Sequence, residues 1–296
     1  MGERNSTVTR VWPVFEALFR SDPSGRTWLP QLVSMGSHAG QRQTPGSTGP
    51  LLPVFTTCDL SLPGPLKRAL GPIRSARLPL IRRAYEAELP PSADFLRWLL
   101  QHPERLTWPR DSRGVDRRFG IQTEAKRRKL IAGDAEIRSA ALVELAAVGA
   151  VGSRRRWWAF EGFTSVDCRL ETADFLLLIE GKRTEPISDS TDWFPGRNQI
   201  IRNLEVAQAL AAGRKDFAVL LCSEEPLELP EDAWPQSLPH LPQEKIEELK
   251  QHYLGCVTWK DIVHKLCPDL ELPDKIDNAI PLCLPLLECP SNSTQS

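Results

Sequence analysis

The stretch Phe175-Leu176-Leu177-Leu178-Ile179 is apolar without a break and runs directly into Glu180-Gly181-Lys182. A short run that is apolar on both faces of the pleat predicts a strand, Phe175 to Arg183, buried on both sides. Strands of that kind belong to sheets covered by helices on both faces. Phe217 to Cys222 repeats the pattern. Upstream, Thr164 to Glu171 reads as a strand, with Thr172-Ala173-Asp174 as the turn that folds it back. Arg156 to Phe163, with its paired tryptophans Trp157 and Trp158, reads as one strand more.

Helix signals surround these strands. Asp134 is a good N-cap for a helix running to about Val148, where Gly149 ends it. Trp193 or Pro195 opens another that runs to about Ala212, closed by Gly213. The predicted order is therefore helix, three strands, helix, strand, an α/β fold with a mixed sheet flanked by helices. N-terminal to it, a helix is expected around Val14 to Phe19, short helical pieces such as Leu78 to Glu88, and a helix over Ala93 to Gln101 stopped by His102-Pro103. Residues 36–50 are rich in Gly, Ser, Gln, Thr and Pro and read as a flexible loop. Gln243 to Tyr253 reads as a polar helix and Gly255 to Leu266 as a packing segment. The expected organisation is an accessory region over 1–120, mainly helical or irregular, a main domain over 121–266 and a tail over 267–296.

A net charge of −1 gives no global argument for a polyanionic partner. Charge is locally uneven, however. Between Arg105 and Lys129 stand Arg105, Arg110, Arg113, Arg117, Arg118, Lys126, Arg127, Arg128 and Lys129, against Asp111, Asp116 and Glu124. Arg154 to Arg156 add a second run. The 7 cysteines include no CxxC pair, and the 5 histidines have no metal-ligand spacing, so a disulfide framework or a zinc site is not expected. Cys168 and Cys222 read as buried small hydrophobes. No signal-peptide pattern and no membrane-length apolar run is present, so a cytoplasmic setting without membrane contact is expected.

The chemistry lies where the buried strand ends. Side chains alternate along a strand, so Glu180 and Lys182 share a face. Counting back from the turn at Thr172 to Asp174 brings Asp167 near them. Two carboxylates held together are costly unless a cation neutralises them. Oxygen ligands suit a hard ion, Mg²⁺ with Mn²⁺ as a substitute. Such an ion orients a phosphodiester and activates water. Lys182 then orients that water or stabilises developing negative charge. Glu180-Gly181-Lys182 alone is a weak signal, since a charged strand end explains it equally well.

Together, Val166-Asp167 and Ile179-Glu180-Gly181-Lys182, set behind a helix and a strand, resemble the PD-(D/E)XK superfamily of restriction-endonuclease-like nucleases. The resemblance covers about residues 121–225, with Val166 standing where the family's Pro sits. It implies a restriction-endonuclease-like core, Asp167 and Glu180 as Mg²⁺ ligands, and Lys182 assisting the water. It also implies a Glu on the first helix approaching the metal. Glu144 is the candidate and Glu136 the runner-up; a boundary Glu reaching water is the alternative for Glu144. In the helix after Lys182, Gln199 and Arg202 share a face, and both they and Arg197 are expected near phosphate, Gln199 as a site residue and Arg197 and Arg202 with Lys182 as nucleic-acid contacts. The implied activity is metal-dependent hydrolysis of nucleic acid, DNA before RNA, with a homodimer as a possible assembly. The rival reading is a catalytically silent module of the same fold that binds nucleic acid or protein. Asp174 sits too far round the hairpin to replace Asp167, and Glu161 reads as a surface group.

Overall fold

The computed structural model describes residues 6–42, 81–109 and 121–274, with side chains over 6–36, 81–109 and 122–274. Expectations for 43–80, for Arg110 to Arg118 and for the tail beyond 274 lie outside these residues. The centre is one five-stranded sheet: β1 (Arg82–Leu89), β2 (Thr164–Glu171), β3 (Phe175–Gly181), β4 (Asp216–Ser223) and β5 (Tyr253–Thr258), in that spatial order. β1, β2 and β3 pair antiparallel, and β3, β4 and β5 pair parallel. The β2–β3 hairpin forms because Thr172 Oγ1 accepts from the N–H groups of Asp174 and Phe175, at 3.3 and 3.0 Å. Polar side chains of this type serve as local turn acceptors.

Every residue of β3 is buried, and its alternation sorts the core into two layers. Phe175, Leu177 and Ile179 face α1 (Trp12–Ser21), α2 (Leu29–Arg42) and α9 (Trp259–Leu266). Leu176 and Leu178 face α6 (Gln199–Ala211), α7 (Ala233–Ser237) and α8 (Gln243–Lys250). The mixed α/β architecture with helices on both faces is as expected. No helix among the described residues is long and apolar enough to cross a membrane.

Several local expectations are overturned. Residues 82–89 form an edge strand, not a helix: their Ala, Glu and Arg favour helix weakly, and pairing along β2 outweighs that. The charges on this strand also guard the open edge. Arg156 to Phe163 forms no strand, because Trp157, Trp158 and Phe160 are drawn into a separate apolar cluster. That cluster joins α3 (Ala93–Gln101) and α5 (Ala135–Val148), which with α4 (Ile121–Ile131) make up a helical unit inserted between β1 and β2. Among the described residues the first strand of the sheet is thus β1, and α1 and α2 precede it.

Residues 6–36 and 82–89, expected in an accessory region, consequently belong to the main core. The helix expected from Trp193 or Pro195 begins only at Gln199, since Asn198 Oδ1 caps it by accepting from Ile200 and Ile201 N–H. Gly255 to Leu266 resolves into the end of β5 and α9.

Candidate functional site

β3 ends beside α6. Glu180 and Lys182 project toward that helix, where Lys182 Nζ donates to Glu180 Oε1 at 2.9 Å and to Gln199 Oε1 at 2.8 Å. Gln199 Nε2 closes the triangle on Glu180 Oε1 at 2.6 Å. One turn along α6, Asn203 Nδ2 donates to Glu180 Oε2 at 3.3 Å. Both Glu180 and Lys182 are buried.

Asp167 reaches the same end of the sheet through an irregularity of the strand pairing. The β1–β2 pairing skips Glu86, which has φ 48°, opposite Asp167. There β2 rolls over: Val166 packs into the α6 layer and Cys168 into the α1 layer, although residues two apart in a regular strand share a face. The β2–β3 ladder stops at Cys168 and Ile179. Lys182 N–H is committed to Cys222 O on β4, at 2.7 Å. The N–H of Gly181 is left facing β2, where Asp167 Oδ2 accepts it at 2.7 Å. Asp167 Oδ1 accepts from Thr7 Oγ1 at 2.5 Å.

Glu180 feels the charge of Asp167. Burial raises Glu180, the charge of Asp167 raises it further, and Lys182 and Arg202 only partly offset this, leaving it at about 7. Asp167 is raised chiefly by burial, against the hydrogen bonds from Thr7 and Gly181 and the charge of Lys182. An acid raised from 4.5 to about 7 keeps its proton on folding, so between those values the folded state binds more protons than the unfolded chain. Stability from this group is therefore greatest below the lower value and declines as pH rises through the upper one, by roughly 3 kcal/mol in all. Urea denaturation in chelator should show that decline between about pH 5 and about pH 8, and Glu180→Gln should flatten it. A decline unchanged in Glu180→Gln would assign the titration to another group.

Arg202 lies on this face of α6, donating to Thr164 Oγ1 at 2.8 Å, and its buried Nε has no hydrogen-bond partner. Burial lowers its pKa, against the charges of Glu161 and Glu180. Asp167, Glu180, Lys182, Gln199 and Arg202 thus gather at one end of the sheet.

Three expected residues do not join them. Arg197 is fully enclosed, bonded to both Glu161 oxygens at 2.7 and 3.0 Å and to Glu205 Oε2 at 2.7 Å, so it has no donor face to offer phosphate. Glu161, expected at the surface, is buried as its partner. Glu144 sits on α5 in the inserted unit and accepts from Trp158 Nε1 at 2.7 Å, while Glu136 is exposed in the first turn of that helix. Neither is bonded to the Asp167–Glu180 group. The insertion separates α5 from the sheet layer that the first-helix role requires.

Thr7 and Asn203 are site neighbours that the sequence reading missed. Asn203 stands one helical turn after Gln199, a spacing that could have found it. Nothing near Thr7 in the chain marks it.

Among the described residues no three His, Cys, Asp or Glu side chains cluster as metal ligands. A hard ion that keeps several waters needs only one or two carboxylates, however. Asp167 Oδ1, Asp167 Oδ2 and Glu180 Oε2 each accept one hydrogen bond, and each oxygen has two acceptor positions. The donor set therefore fits such an ion. Compared with protein-family models, curated proteins and solved structures, the chain matches none.

Proposed function

We propose that this chain is a Mg²⁺-dependent phosphodiesterase that hydrolyses nucleic acid, DNA first, with a site of the PD-(D/E)XK type. The observation that carries the reading is the convergence of Glu180, Lys182 and Gln199 within 3 Å of one another, with Asp167 bonded to the backbone between the first two. A buried acid whose pKa is raised by burial and by a neighbouring carboxylate, as Glu180 is by Asp167, marks a place where a cation is welcome. Among the described residues the order α1, α2, β1, β2, β3, α6, β4 also supports a restriction-endonuclease-like core, with α2 placed before its first strand and the helical unit after it.

Asp167 and Glu180 would hold the ion, which supplies Lewis acidity and an activated water when bound. Lys182 sits where its ammonium can orient the nucleophile and meet charge developing on the phosphoryl oxygens. Gln199 fixes Lys182 against Glu180, and Arg202 offers a guanidinium beside them for a phosphate oxygen.

The test is cleavage of plasmid, single-stranded DNA and RNA with Mg²⁺ or Mn²⁺, against chelator. Cation-dependent cleavage of DNA is expected. Cleavage confined to RNA would reassign the substrate. Nucleic-acid binding without cleavage would favour the silent module, a reading that draws on all four carboxylate oxygens of Asp167 and Glu180 already having partners within the chain.

A further inference from the structure

We propose that Thr7 is a positioning residue of this site, its hydroxyl holding the Asp167 carboxylate in the orientation that a shared cation needs. The inference rests on the phosphodiesterase reading and goes beyond it by making the N-terminal helix a component of the site.

Three contacts fix the start of that helix, a π-helical turn over Thr7–Val11 that continues into α1. Thr7 is itself buried, and its Oγ1 lies 2.5 Å from Asp167 Oδ1 across 160 residues of chain. Val11 packs on Gly181 so closely that a Cβ there would stand 2.5 Å from Val11 Cγ2, 3.1 Å from the Trp259 ring and 3.3 Å from Asp167 Oδ2. Glycine at the middle of Glu180-Gly181-Lys182 thus admits both the helix and the carboxylate. Arg10 then ties the turn down, donating from Nε to Glu224 Oε1 at 2.5 Å and from Nη1 to Pro273 O at 2.6 Å. Glu224 also lies 3.7 Å from Arg183 Nε, one residue past Lys182.

The consequence falls on Asp167. Its Oδ2 is held by the fixed N–H of Gly181, so the remaining freedom is rotation that would swing Oδ1 away. The Thr7 hydroxyl removes that freedom and leaves a second acceptor position on each oxygen for a ligand. Outer contacts of this kind orient metal-binding carboxylates, and their loss typically weakens metal affinity about 10- to 100-fold.

The test is Mn²⁺ binding to the full chain by titration calorimetry, without nucleic acid, for wild type, Thr7→Val and Thr7→Ser, with thermal denaturation alongside. Thr7→Val keeps the shape and loses the hydroxyl, and should weaken Mn²⁺ binding at least about 10-fold. Thr7→Ser restores the donor and should bind near the wild-type level. Thr7→Ala is the second hydroxyl-free variant should Thr7→Val not fold. Equal binding by wild type and the folded hydroxyl-free variant overturns the role of Thr7 and leaves the metal site standing. Loss in Thr7→Ser as deep as in Thr7→Val reduces Thr7 to packing and also overturns it. A wild-type chain that takes up no Mn²⁺ sinks the phosphodiesterase reading, and this inference with it.

Discussion

Lys182→Met should abolish cation-dependent cleavage, lowering the rate by at least about 10²-fold, the scale on which a charge-stabilising group is missed in a transition state. Methionine keeps most of the length and apolar body of the lysine stem. What disappears is the ammonium 2.9 Å from Glu180 and 2.8 Å from Gln199. Folding should survive near neutral pH. Glu180 already sits at about 7 with Lys182 present, and without it the acid moves further up and stays protonated, avoiding a bare buried charge. Single-turnover cleavage separates chemistry from binding, and circular dichroism reports the fold. Wild-type cleavage by a folded Lys182→Met protein would remove the lysine from the chemistry and leave the proposed mechanism without its cation side chain.

The largest loss of stability should come from Arg197→Met. Its guanidinium lies 3.7 Å over the Phe95 ring, completely enclosed, between Glu161 and Glu205. Burial pushes Glu205 up, but Arg197 and His240 overcome this and hold it at about 2. Removing one partner of a buried ionic network strands the others, at a cost of about 3–5 kcal/mol. Urea denaturation at neutral pH measures it. Arg197→Met combined with Glu161→Gln should recover part of the loss, because one of the two stranded carboxylates is then neutral. A single substitution costing under about 1 kcal/mol would mean that water or another cation reaches Glu161. The same network explains why Arg197 is not a phosphate ligand: all its directions are taken, one of them by Ser237 O at 2.8 Å.

How much of this was legible in the chain depended on the range of the interaction that decided each element. Helices Ala93–Gln101 and Ala135–Val148 were readable to their ends, since Ser92 and Asp134 cap them locally and Gly149 and His102-Pro103 stop them. Strands β2 and β3 were equally plain, because apolar continuity and a turn are local signals. The strand at 82–89 was not, for its residues pair with partners some 80 positions later and carry no alternation that betrays it. Trp157 and Trp158 misled in the opposite sense: aromatic pairs suit strands, but here helices claimed them. Of the gathered residues, Glu180 and Lys182 followed from strand parity and Asp167 from the hairpin count, while Gln199 came from the family resemblance. Arg197 failed because neighbours on a polar turn cannot tell a solvent-facing guanidinium from one that Glu161 will bury. Thr7 depended on an approach of two distant segments, which no local pattern records.

The inserted helical unit leaves the sheet after Leu89 and returns at Thr164, and these two residues are cross-strand partners. Departure and re-entry at adjoining rungs make the excursion a graft: it can lengthen, shrink or diverge at its far side while the ladder beneath keeps its register. Besides the Glu161–Arg197 pair, its anchorage to the rest includes Trp193 and Phe194, which share its aromatic cluster, with Thr107 N–H bonded to Trp193 O at 2.8 Å. Trp193 and Phe194 belong to the loop joining Lys182 to Gln199. Remodelling the graft would thus be felt first in the span that sets two of the gathered side chains against each other.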